Sequence, residues 1–206
     1  FLMKKILFLF LAACFFFSCE KETIVIPQQH AGRTVLAFFW ADNSLNSSLR
    51  DNIQTMMQGL QAMKDSAALL VYWDGEASDI SWPEPCIVEY VTNGQGGINS
   101  LSKGTIDAMM ADKNTSIYDL IGIGNIRKKY PPQTSTEKTV MQTVIGDMMS
   151  AYPSESYGII FGSHGSGWLP TITGTRSIGQ DGGRYSSDTA LIPELAEVLR
   201  SEEHTS

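Results

Sequence analysis

Cysteine is scarce in this chain: Cys14, Cys19 and Cys86 are the whole complement of 206 residues, and none follows Cys86. No disulfide framework can be assembled from them. Histidine is as sparse, with only His30, His164 and His204. No His, Cys or carboxylate set stands at short spacing around His164, which excludes a zinc site there. A nucleophile elbow needs G-x-S-x-G, and Ser166 has His164 and Trp168 where the glycines belong. Basic residues are outnumbered, 15 Lys and Arg against 22 Asp and Glu, for a net charge of −7. That balance gives no electrostatic support for nucleic-acid binding, so no nucleic-acid partner is expected. What remains is an ordinary globular composition, 43% apolar and 18% charged, suited to one folded domain.

The N-terminus reads as export machinery, not fold. Met3-Lys4-Lys5 supplies a positive start, Ile6 to Phe17 is almost unbrokenly apolar, and Phe1 and Leu2 look like upstream read-through. At roughly a dozen residues this run matches a signal-peptide core and is too short to span a bilayer. Phe16-Phe17-Ser18-Cys19 resembles a bacterial lipoprotein processing box, with Phe16 where Leu is more usual. Residues 1–18 are then a lipoprotein signal peptide and Cys19 the lipidated first residue, a membrane anchor. An ordinary secretory signal with an incidental cysteine is the alternative. Residues 19–33 form a polar tether, and Lys21-Glu22 resembles a surface-export signal of envelope lipoproteins. The expected location is the cell envelope, at the outer membrane and exposed at the surface.

Past the tether the pattern alternates between strand and helix. Thr34 to Trp40 reads as a buried strand, and Ala41-Asp42-Asn43-Ser44 as a turn with cap residues. Leu45 to Met63 carries Leu49, Ile53, Met56, Met57 and Leu60 at helical spacing. Ala67 to Tyr72 is a second strand ending in a Trp73-Asp74-Gly75 turn. Cys86 to Thr92 alternates as a third, with an edge position open to it and Cys86 as a small buried hydrophobe. From Asn93 to Pro132 the signal weakens, with a short helix over Thr105–Met110. Gly122-Ile-Gly124 fails as a dinucleotide fingerprint because Arg127 stands where the third glycine belongs. Ser135 to Glu137 should cap a helix running to about Ala151, with Val140, Val144, Ile145 and Met148 on one face. Such alternation argues for α/β layering around a mostly parallel sheet.

The segment from Ser156 to Pro170 carries the chemistry. An apolar run, Tyr157 to Ser163, stops at His164, with Gly162, Gly165 and Gly167 crowded around it. A buried strand that delivers one imidazole to the carboxyl edge of a sheet is how many α/β enzymes place a general base. A structural or capping histidine would occupy the same position, and the residues alone leave both readings open.

Three segments resemble the clostripain family of cysteine peptidases, in the wider clan of caspases, gingipains and legumain. They are Thr34 to Leu45 (TVLAFFWADNSL), Tyr152 to Trp168 with its His164-Gly165 step, and Arg176 to Asp181 followed by Ile192 to Leu199. The resemblance implies an α/β, caspase-like three-layer sandwich with a mostly parallel sheet. Residues 34–199 would be a partial peptidase domain, truncated before the strand that carries the catalytic cysteine. Arg200 to Ser206 reads as the translation of a sequencing adapter. His164 is then the catalytic imidazole and the backbone N–H of Gly165 an oxyanion donor. Cleavage after Arg or Lys of protein or peptide substrates is expected, with a carboxylate to meet that cation. Asp181 is one candidate for it, and a turn aspartate in Gln-Asp-Gly-Gly is the competing reading. No cofactor is expected; calcium dependence occurs in some members, yet no calcium loop is visible. This chain would be an inactive form of the enzyme. The alternative function is a non-catalytic surface lipoprotein whose caspase-like domain binds peptides or glycans.

Overall fold

The computed structural model describes residues 32–75, 84–112, 114–165, 177–181 and 188–202. The expected signal, Cys19 and most of the tether lie outside them, as do residues 166–176 and the tail beyond 202. Twelve elements follow in order: β1 (Arg33–Ala41), α1 (Asn46–Ala62), β2 (Ala67–Gly75), β3 (Cys86–Val91), α2 (Lys103–Ala111), α3 (Ile117–Ile123), β4 (Asn125–Lys129), α4 (Lys138–Ala151), β5 (Tyr157–Gly162), β6 (Ser177–Asp181), β7 (Asp188–Leu191) and α5 (Ile192–Glu202).

Five strands form one sheet in the order β4-β3-β2-β1-β5, and β6 pairs with β7 separately. The middle is parallel: β1 runs alongside β2 from Arg33↔Ala67 to Ala41↔Gly75, and alongside β5 from Thr34↔Tyr157 to Phe39↔Gly162. β3 is antiparallel to β2, and β4 to β3. β3 is therefore an interior strand, not an edge, because β4 covers its outer side.

Both faces of β1 and β2 are covered, which is why these strands read as continuous apolar runs. Ala37, Phe39, Leu69, Val71 and Trp73 pack against α1 through Leu49, Ile53 and Met57, and against Ile106, Leu120 and Ile121 of α2 and α3. Leu36, Phe38, Trp40, Leu70 and Tyr72 pack against Met141, Val144, Ile145 and Met148 of α4 and against Leu195 and Val198 of α5. The result is helix, sheet, helix: three layers with two cores.

Three local expectations change. Trp73-Asp74-Gly75 is not a turn but the end of β2, and Asp74, 5% exposed, accepts a hydrogen bond from the Ser135 hydroxyl. Burial of a carboxylate is tolerated there because it is bonded. Ser135 consequently does not cap α4; Glu137 occupies that position without a side-chain cap bond. The Asn93–Pro132 stretch holds two elements beyond α2. α3 opens on a capping box between Ser116 and Asp119, and β4 (NIRKK) is exposed at every residue. Gly124, at the junction of α3 and β4, leaves no room for a side chain: a Cβ there would lie 2.2 Å from Val88 Cγ1.

Candidate active site

β1, β2 and β5 are parallel, so their carboxyl ends share one edge of the sheet, the edge where open α/β folds form ligand crevices. His164 stands two residues beyond the end of β5. The register Phe39↔Gly162 puts it level with Ala41 at the end of β1. Gly162 permits the close approach that brings this loop in, since a Cβ would meet Phe39 Cδ1 at 2.6 Å and Leu49 Cδ2 at 2.7 Å.

The loop after β1 meets His164 directly. Ser44 Oγ lies 2.9 Å from His164 Nε2. Asn43 fixes the serine by an Asx turn, its Oδ1 accepting from Leu45 N at 2.9 Å. The same amide donates to Trp40 O at 2.6 Å and to Ser163 Oγ at 3.1 Å, so it stitches the β1 loop to the β5 loop. Neither residue caps α1, whose N-cap is Leu45 without a side-chain bond. The sequence signal for this role was present in the TVLAFFWADNSL segment, but a turn and a cap were its plainest local reading.

The main chain of His164 is held from the other side. Its carbonyl accepts from Gly179 N at 2.9 Å, and Gly165 bridges Ile178 of β6 in antiparallel fashion. Because that bond runs between the flanking residues, Gly165 sits at a non-hydrogen-bonded pair and its N–H points away from β6. Gly179 has φ +86, and a Cβ there would lie 3.0 Å from the Trp40 ring. β6 thus lies against the indole while it holds the histidine. Asp181 ends β6, paired to Asp188, and is not a turn residue.

Beneath this edge runs a buried polar network. Trp40 Nε1 donates to Ser135 O at 2.9 Å, the Tyr72 and Ser135 hydroxyls lie 2.6 Å apart, and Gln133 Nε2 donates to Tyr72 OH at 3.0 Å. With Asp74 accepting from Ser135, it pins the start of α4 to the ends of β1 and β2. Cys86 is fully buried and forms no disulfide. It lies at the same edge, opposite Trp73, but on β3. Three strand spacings, about 14 Å, separate β3 from β5, so Cys86 cannot serve His164 as a nucleophile. No cluster of three or more His, Cys, Asp or Glu that could hold a metal exists among the described residues.

The structure is thus a three-layer α/β domain that presents a tethered imidazole at the carboxyl edge of its parallel strands. The chain belongs to the clostripain family (Peptidase C11), whose family model matches residues 37–206. Among solved structures it is similar to a secreted C11 cysteine protease from Bacteroides thetaiotaomicron in complex with an irreversible peptide inhibitor. Identity is 26% and the TM-score 0.56, over 82% of this chain and 39% of that one. It is also similar to a cysteine protease from B. fragilis, at 27% identity and a TM-score of 0.48 over 68% of this chain and 95% of that one. The chain thus spans well under half the length of the first of these. No curated protein matches. The fold is the caspase-like α/β sandwich of this family.

Proposed function

We propose that the full-length protein is a cysteine endopeptidase that cleaves after Arg or Lys, carried on the cell envelope by a lipid at Cys19. The observation that carries this reading is the His164 imidazole, held by Ser44 at the edge where three parallel strands end. The nucleophile is a cysteine outside this chain, on a strand paired with β5. The outer side of β5 has no strand partner among the described residues, and on the sheet face shared with Ala37 its Ile160 is 43% exposed. In the reaction His164 takes the thiol proton as the sulfur attacks the peptide carbonyl. The developing oxyanion is met by the Gly165 N–H, which points away from β6 and needs no side-chain clearance. The imidazolium then protonates the leaving amine, and water hydrolyses the thioester with the same histidine as base. The reaction as written needs no metal or cofactor.

The present 206-residue chain, lacking that cysteine, is inactive on this reading. Purified full-length protein is expected to release fluorophore from arginyl or lysyl amides, to lose that activity to a thiol-reactive peptide, and to ignore aspartyl amides. The 206-residue chain should turn over none of them. Full-length protein that binds peptides or glycans but hydrolyses no amide would instead establish the non-catalytic lipoprotein. For the anchor, mass spectrometry of native envelope protein should find an acylated peptide beginning at Cys19. An unmodified mature terminus further along the chain would rule the lipid out.

A further inference from the structure

We infer that Ser44 is the positioning residue that sets the tautomer of His164, so that Nδ1 is the nitrogen that exchanges protons with the reacting groups. The inference takes the partner and the ring nitrogen from geometry and rests on the peptidase reading for the direction of the bond. An imidazole has two nitrogens, and the bond made by one decides whether the other carries the working lone pair. Catalytic histidines are commonly oriented by a buried carboxylate. Among the described residues, the side chain bonded to the His164 ring is a hydroxyl, Ser44 Oγ at 2.9 Å from Nε2.

The direction of that bond follows from the chemistry of the proposed reaction, and the exposure of Ser44 permits it. Ser44 is exposed, so its O–H is free to donate to water, and its oxygen is free to accept from Nε2–H. The opposite arrangement, Ser44 donating to Nε2, would put the proton on Nδ1. Both nitrogens would then be committed and no lone pair left to receive a thiol proton. Acceptance from Nε2–H leaves Nδ1 unprotonated in the neutral ring and lets it cycle: it gains the thiol proton, then gives it to the leaving amine. The Nε2 proton stays on Ser44 throughout.

Ser44 is itself held tightly enough for this duty. Asn43 binds Leu45 N, Trp40 O and Ser163 Oγ, so the loop that presents the hydroxyl and the loop that presents the ring cannot drift apart independently. A neutral acceptor also avoids placing a second charge beside the imidazolium's nucleophile partner.

Two readouts test this separately from the peptidase assignment. Long-range 1H–15N spectra of the 206-residue chain contain three imidazoles, those of His30, His164 and His204, and His164→Gln identifies the one of interest. Neutral His164 is expected as the Nε2–H tautomer; a dominant Nδ1–H tautomer overturns the inference whatever the enzyme does. In full-length protein, Ser44→Ala should lower kcat about tenfold, corresponding to about 1.4 kcal/mol of lost orientation, with KM unchanged. Ser44→Thr, which keeps the hydroxyl, should restore kcat. Equal kcat in Ser44→Ala, or no rescue by threonine, would overturn the positioning role, and absence of amidase activity in the wild type would count against the peptidase reading instead.

Discussion

Replacement of His164 by alanine in the full-length protein should reduce kcat/KM for an arginyl or lysyl amide by at least about a thousandfold, within the range that general acid–base groups contribute. The loss has two sources. Without the imidazole the thiol is no longer deprotonated on attack, and the leaving amine has no proton donor, so both halves of the acyl transfer slow. Stability should hardly change. His164 is only partly buried and sits beyond the end of β5, and its main-chain bond to Gly179 N survives the substitution. Matched circular dichroism and thermal unfolding of the two proteins would separate chemistry from folding. A His164→Ala protein that keeps a tenth or more of wild-type kcat/KM would remove the histidine from the mechanism.

The elements that position this histidine were legible because each has a strong apolar face. α1 and α4 lie against the core on one side and show the 3.6-residue repeat that follows, whereas β1 and β5 announce themselves as short apolar runs, β1 because both its faces are buried. Elements without such a face escaped. β4 has one apolar residue, Ile126, among Asn, Arg and two Lys, and all five positions are exposed, so nothing in the pattern distinguishes it from a loop. α3 is a seven-residue helix, too short to show a repeat. The end of β2 was misread for a different reason. Asp74-Gly75 has turn chemistry locally, but the partner that makes a buried aspartate tolerable is Ser135, 61 residues away in sequence. The site divides in the same manner. His164 announces itself by the abrupt strand-to-glycine transition, whereas Ser44 meets it across 120 residues, a separation that no local pattern spans.

Trp40 is where fold and site are joined, and its loss should be the most damaging single change to stability among the residues described. Its side chain is fully buried, stacks on Phe161 at 5.6 Å, and lies 4.8 Å from Phe38 between ring centroids. Trp→Ala in such a core costs about 3–5 kcal/mol in lost transfer and cavity formation. The hydrogen bond from Trp40 Nε1 to the Ser135 carbonyl, 2.9 Å long, would be lost as well, a further cost of about 1 kcal/mol. Against a total stability of roughly 5–15 kcal/mol, Trp40→Ala should lower Tm by roughly 10 °C or more, or abolish folding. Trp40→Phe partitions the effect: one aromatic ring remains while the N–H and the rest of the indole are lost, so the cost should be smaller than for alanine, about 2–4 kcal/mol. The same indole is the surface against which Gly179 lies while donating to His164 O. Trp40→Ala protein that remains folded should therefore also lose activity, because β6 has no floor and the histidine loop is released. Thermal unfolding of both variants, with activity measured on whatever stays folded, is the check. A Tm shift under about 2 °C for Trp40→Ala, or unimpaired turnover in that variant, would show that the coupling drawn here between the tryptophan and the histidine loop does not exist.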